Sequence, residues 1–253
     1  MQIIISPAKL MQTAFDDFAP KNQPLFLAES AFLANYIQQL SYNEVQQLWQ
    51  SNDKITQLNY DRFAQMNLYD NLSAAIMTYD GLQYQAMAPS LLTTPGLAYL
   101  EKHLRILSAF YGILRPFDGI TPYRLELQSK VNFDYQGQHY VKLYPFWGDK
   151  IYQALMADNN DRIIINLASR EYSKVVLPYL QPDDQLISCT FASIKANQKL
   201  QVKTTESKIA RGDMVRFMAE RNITDADELK TFTARGFHFV DNLSTADNFV
   251  FIK

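Results

Sequence analysis

The sequence predicts a mixed α/β fold: a single domain built on a mixed β-sheet with surrounding helices. Three observations carry this reading. Short β-branched runs recur along the chain, as at residues 2–5 and 162–167, each ended by loop-forming residues. Helical patterns with capping signals lie between them, but without a clean strand–helix–strand period. No repeat of about 20–50 residues, low-complexity tract or linker of distinct composition divides the chain. Residues 1–253 therefore read as one domain, close to the size at which single cores stop growing.

Taken in order, residues 2–5 form a buried strand that ends at Ser6-Pro7. Residues 11–24 contain Pro20 and Pro24 and read as loop, with Pro24 in the first turn of a helix reaching about Leu40. Ser41 starts a second helix, since Glu44 three residues on completes a capping box. Ser51-Asn52-Asp53 ends it, and a third helix runs from Lys54 to about Met66 with an interruption expected at Asn59. Residues 41–66 thus make a helix–turn–helix subelement.

Residues 75–79 read as a strand closed by Asp80-Gly81, residues 97–103 as a helix and residues 104–108 as a buried strand. Pro116, Gly119 and Pro122 make residues 115–123 a structured loop. A short strand is expected at 139–143, then one helix from Pro145 to about Ala157. Residues 162–167 are the strongest strand. A short helix follows at 170–177, a strand at 185–191 and a hairpin arm at 199–203. Residues 206–221 form an amphipathic helix with Ala210, Met214, Phe217 and Met218 on one side. Thr224 caps a short helix to Lys230, and strands at 237–241 and 248–252 close the chain.

Composition bounds the function. Hydrophobic residues are 47% and charged residues 20% of the chain, which excludes global disorder. The formal net charge is −2, so contact with nucleic acid would need a local basic face rather than an overall basic excess. With one cysteine, Cys189, no disulfide can close within the chain, which suits a reducing compartment. Nothing resembles a secretion signal or a membrane-spanning run, and a cytoplasmic monomer is expected.

The familiar cofactor motifs are absent: no G-x-G-x-x-G after a strand, no G-x-x-x-x-G-K-[ST] and no G-x-S-x-G. His103, His139 and His238 are far apart in sequence, and only Cys189 could join them. We therefore expect no cofactor and no resident metal site. Cys189 sits in a strand and reads as a small buried hydrophobe rather than a peroxide-reactive thiol.

Several constellations could recognise anions. Lys9 follows the first strand, at the end of a sheet where α/β ligands tend to bind. The turn-rich stretch 111–126 presents Arg115 and Arg124, which either bind phosphate or carboxylate bidentately or pair internally with Asp118, Glu126 or Asp149. Ser169 caps the helix after the strongest strand, followed by Glu171 and Lys174. Asp149 near a helix start also complements the helix dipole. Lys208, Arg211, Arg216 and Arg221 lie opposite the apolar stripe of the 206–221 helix, preceded by Lys195, Lys199 and Lys203. This is the most basic region of the chain.

Taken together, an ordered set of segments resembles one family. They are Ile5-Ser6-Pro7-Ala8-Lys9, Tyr111-Gly112-x-Leu114-Arg115-Pro116, Pro122-Tyr123-Arg124-Leu125-Glu126, Leu143-Tyr144-x-Phe146-Trp147-Gly148-Asp149, Asn166-Leu167-Ala168-Ser169-x-Glu171-Tyr172, Lys208-x-Ala210-Arg211-Gly212 and a terminal Gly236-Phe237. The set is similar to the YaaA family of bacterial peroxide-stress proteins and spans nearly the whole chain. The resemblance implies a cytosolic protein that limits iron-dependent damage during peroxide stress. It also implies DNA binding through a helix–hairpin–helix-like element, here Ser41–Met66, and a positive cleft.

Two functional expectations follow, with a third behind them. In the first, DNA or another polyanion binds a cleft lined by Lys9, Arg115, Arg124, Lys174, Lys208, Arg211 and Arg216, with Tyr123 or Trp147 stacking on bases. In the second, the same residues form the pocket of an enzyme for a small anionic substrate. Asp149, Glu126 and Glu171 are then the acid–base candidates, and Ser169 and Asn166 the polar positioners. A deep, tight cluster favours the second and a long basic groove the first. Direct iron sequestration has the weakest residue support.

Overall fold

The computed structural model describes residues 1–13, 18–194 and 199–253; part of the expected 11–24 loop and Lys195 lie outside the described residues. Its centre is an eight-stranded mixed sheet. The strands are β1 (Gln2–Ile5), β2 (Leu104–Ser108), β3 (Gly112–Leu114), β4 (Ile163–Leu167), β5 (Gln185–Ile194), β6 (Leu200–Gln201), β7 (His238–Phe239) and β8 (Asn248–Ile252). Their order is β7-β8-β5-β4-β1-β2-β3, with β6 paired to β5.

The five middle strands, from β8 to β2, run parallel, and the edge pairings to β3 and β7 are antiparallel. Every residue of β1 is buried, as expected for a parallel strand covered on both faces. Ile3, Ile4 and Ile5 are among the fully buried side chains at the centre of one large core. The chain leaves β1 toward β2 on one side and later enters β4 on the other. The crevice beyond the carboxyl ends of β1 and β4 is therefore the topological switch point, where open α/β sheets bind ligands.

The helices around the sheet include α1 (Leu27–Gln38), α2 (Tyr42–Trp49), α3 (Asp53–Ala64), α4 (Leu82–Met87), α5 (Thr94–His103), α6 (Lys150–Met156), α7 (Arg170–Ser173) and α8 (Thr204–Arg221). The capping box at Ser41 and Glu44 is formed. Asn52 caps α3 by accepting from the Ile55 N–H at 3.0 Å. The expected break at Asn59 does not occur, because its side chain bonds back to the Ile55 carbonyl and α3 continues.

Three further expectations need correcting. Residues 75–78 form one helical turn, flanked by the two-residue strands Ser73–Ala74 and Tyr79–Asp80. Their apolar run is buried in a short connector, and periodicity cannot separate that from a buried strand. The helix expected from Pro145 is two helices, Leu143–Trp147 and α6, broken where Gly148 adopts φ 51°. A 3-10 turn at Ala226–Thr231 is capped by Asp225, not Thr224, because the Asp225 carboxylate accepts from the Asp227 N–H at 3.0 Å. The expected strand at 139–143 is one arm of a hairpin, Gln138–Lys142, whose other arm is Lys130–Tyr135.

Candidate functional site

The loop after β1 and the turn after β4 meet directly: the Ser169 backbone N–H donates to Ser6 Oγ at 2.8 Å. Helix α4 closes on both. Tyr84 donates its hydroxyl to the Ser6 carbonyl at 2.9 Å, and Gln83 Nε2 reaches the Leu167 carbonyl at 3.4 Å. Gly81, just before α4, lies so close to Ala8 that a Cβ there would stand 2.9 Å from the Ala8 Cβ. These contacts frame a cavity of about 460 Å³ at the switch point, within the range of small-molecule sites.

Helix α8 forms the next wall. It packs on α4 at Gly212, where a Cβ would fall 2.1 Å from the Gln83 carbonyl oxygen. This approach places Lys208 and Arg211, three residues apart and so on one helix face, against the cavity. The remaining wall is the 123–126 segment. It is anchored by Tyr123, whose hydroxyl contacts Tyr79 at 2.9 Å and Ser108 at 2.7 Å.

Eight sequence-expected residues line this cavity: Lys9, Tyr123, Arg124, Lys208, Arg211, Glu126, Ser169 and Glu171. Their charges are not equally free. Glu126 is held by Lys9 at 2.7 Å and by Arg124 at 3.1 Å, so one carboxylate is shared between these two cations. Glu171 accepts from the Gln128 N–H at 3.4 Å. Arg211 is different: among the described residues no ion pair holds it, and its Nε, like that of Arg124, is buried without a hydrogen-bond partner. Burial disfavours its charged form. Lys208 is exposed, and among the described residues no ion pair holds it. Among the described residues, the cavity therefore carries two cations without an ion-pair partner, one turn apart.

Other expected residues, Asn166 among them, are outside this lining. Arg115 pairs with Asp118, Nε to Oδ1 at 3.0 Å, and faces a separate cleft at the amino ends of the strands. Burial pushes the Asp118 carboxyl up, against the opposing pull of its bonds to Arg115. The internal pairing expected for Arg115 and Arg124 as one of two alternatives is thus the observed one, with Asp118 and Glu126. Arg216 is tied to Glu220 at 2.7 Å along α8. Lys174 lies over the Tyr144 ring at 5.0 Å, outside the cavity wall. Asp149 precedes α6 and contacts Gln153 at 3.5 Å, also outside it. Trp147 is fully buried and donates to the Ala109 carbonyl, so it presents no stacking face.

The helix–turn–helix at 41–66 contributes nothing to the cavity lining. Its turn is fixed by Asp53, which accepts from Gln46 at 2.6 Å. Sequence reasoning also passed over the Asp80–Tyr84 segment. Its signal was the Asp80-Gly81 pair, read only as a strand end.

Cys189 is fully buried on β5, and burial pushes its thiol up to about 12. Nearby Arg211 acts in the opposite direction, as the lesser cause. His103 bonds the Met1 carbonyl at 2.9 Å and His139 pairs with Asp134 at 2.9 Å. Among the described residues, no three His, Cys, Asp or Glu side chains gather as metal ligands would.

Comparison with known proteins adds the family. The family model described as "Peroxide stress protein YaaA" matches residues 1–243. The chain belongs to this family. It is 47% identical to the UPF0246 protein of Pediococcus pentosaceus, covering 100% of this chain and 98% of that one. It is equally 47% identical to the UPF0246 protein of Ligilactobacillus salivarius, covering 100% of both. A UPF0246 protein of Desulfitobacterium hafniense is 44% identical over 100% of this chain and 98% of its own. Family membership connects the chain to peroxide stress. No helix among the described residues is long and apolar enough to cross a membrane.

Proposed function

We propose that this protein serves the peroxide-stress response by binding a small anionic ligand in the switch-point cavity. The observation that carries this is the pair Lys208 and Arg211, two cations in a recess without an ion-pair partner among the described residues, one of them with a buried and unsatisfied Nε. A buried charged donor left unpaired is costly, and a ligand anion would supply the missing acceptor. Glu126 and Glu171 stand in the same recess as acid–base candidates, with Ser169 as a polar positioner, so conversion of the ligand is compatible with the reading.

The clustering favours this over the polyanion reading. A continuous basic groove would enlist Arg115 and Arg216, and both are spent on internal carboxylates away from the cavity. The route to less iron-dependent damage is then indirect, through the ligand.

A two-part experiment tests the proposal. In a strain lacking the protein, the wild type is expected to restore growth under hydrogen peroxide, and Arg211→Gln is not. Purified protein is expected to gain thermal stability from small phosphorylated or carboxylated compounds, as a ligand selective for the native state requires. Duplex DNA binding that falls steeply with salt and is lost in Arg115→Gln or Arg216→Gln, but kept in Arg211→Gln, would overturn the reading in favour of a polyanion surface.

A further inference from the structure

We propose that the ligand of this cavity is a free α-amino acid with an apolar side chain, an inference that rests on the anion reading above and goes further by naming the chemistry. It comes from the charges of both signs that the walls carry. The cations Lys9, Arg124, Lys208 and Arg211 line the recess together with the carboxylates Asp80, Glu126 and Glu171. Glu126 is shared between Lys9 and Arg124. Among the described residues, Lys208 and Arg211 on α8 then remain without an ion pair, and so do Asp80 and Glu171. Opposite charges attract strongly where water is partly excluded, yet these line one recess without touching one another.

A ligand with one charge of each sign satisfies both sets. Its carboxylate takes the planar fork of Arg211 and the mobile ammonium of Lys208, one helical turn apart. Its own ammonium takes Glu171, the less engaged of the two carboxylates. Among the described residues, the Glu171 side chain accepts only the Gln128 N–H, at 3.4 Å, whereas Asp80 accepts from Gln85 at 2.8 Å. A phosphomonoester, near −2 at neutral pH, would set its charge against both carboxylates. A simple carboxylic acid would leave Glu171 without a partner. The body of the ligand is read from apolar surface that is open. Leu10 is 66% and Leu82 39% exposed, and both line the cavity beside Pro7. An apolar side chain laid on these leucines removes apolar area of both from water. A volume of about 460 Å³ lies toward the small end of ligand pockets, as a single amino acid requires.

Calorimetric titration of the full chain separates the outcomes. The probes are leucine, isoleucine, valine, methionine and phenylalanine, each with its amide and its deamino acid, together with leucylleucine, inorganic phosphate and adenosine monophosphate. At least one amino acid is expected to bind at one site per chain. It is expected to bind about tenfold or more tighter than its amide, which lacks the carboxylate, and than its deamino acid, which lacks the ammonium. Lys208→Gln, an exposed change that leaves the fold alone, and Arg211→Gln are each expected to weaken it about tenfold or more. Glu171→Gln, which keeps an acceptor for the Gln128 N–H, is expected to erase the preference over the deamino acid. Arg115→Gln is expected to leave binding unchanged.

Equal binding of an amino acid and its deamino acid would sink the zwitterion assignment and leave the anion reading standing. Tighter binding of phosphate or adenosine monophosphate than of every amino acid would do the same. Amino acid binding indifferent to Lys208→Gln, Arg211→Gln and Glu171→Gln would place the site elsewhere and overturn the proposal. Absence of binding by every amino acid would overturn it too. If Arg211→Gln also restored peroxide growth fully, the anion reading would fall with it. Binding of leucylleucine in preference to all the free amino acids would reject the single amino acid in favour of a peptide.

Discussion

At the scale of single residues, the same physics explains a charged group that is available and a thiol that is not. Arg211 keeps a buried, unpaired Nε against the cavity, while Cys189 beside it is sealed in β5. With its thiol pushed up to about 12, Cys189 holds about one thiolate in ten thousand at pH 8. Native protein is therefore expected to resist iodoacetamide, with alkylation tracking the rate of global unfolding. Rapid stoichiometric alkylation of the folded chain would show that the thiol is accessible and would reopen a sensing role. Arg115 and Arg124 illustrate what a sequence withholds. Their guanidinium chemistry was legible, and so was the alternative of internal pairing, but only the fold selected Asp118 for one and Glu126 for the other.

At the scale of elements, the cavity depends on how closely α8 approaches α4. Gly212 permits that approach, since a Cβ there would lie 2.1 Å from a backbone oxygen that cannot rotate away. Gly212→Ala is expected to force the helices apart and cost about 1–3 kcal/mol, the usual range for overpacking, measured by urea unfolding. The same change is expected to weaken ligand binding by displacing Lys208 and Arg211 together. Unchanged stability and binding would mean that α8 is not held at this point. Helices with strong local signals were readable: Ser41 with Glu44 specified the start of α2 because a capping box is a contact between near neighbours. Residues 75–78 were not, because an apolar run of that length is equally at home in a buried strand or a buried turn.

At the scale of the whole molecule, the core gathers several phenols. Tyr79, Tyr84, Tyr111, Tyr123 and Tyr172 are buried, and burial raises the pKa of each, that of Tyr123 to about 12. A folded-state pKa above the unfolded value of about 10 means that the native state holds these protons more tightly. Their stabilising contribution is complete below about pH 10 and is lost as pH rises through the folded values. Each phenol adds up to about 1.4 kcal/mol per pH unit in that window. Stability measured by denaturant titration is expected to fall steeply above pH 10, with a component of tyrosinate absorbance appearing only as far-UV structure is lost. Complete tyrosine ionisation in a chain that stays folded would contradict this burial. By itself, the sequence determined the fold class, most strands and helices, and the residue types that recognise anions, because these follow from local periodicity, capping and side-chain chemistry. The tertiary structure alone decided which cations are free and which are spent. Lys9, Arg124, Ser169 and Arg211 come from segments far apart in the chain, and they meet only because β1 and β4 are neighbours at the switch point of the sheet and Gly212 lets α8 close over it.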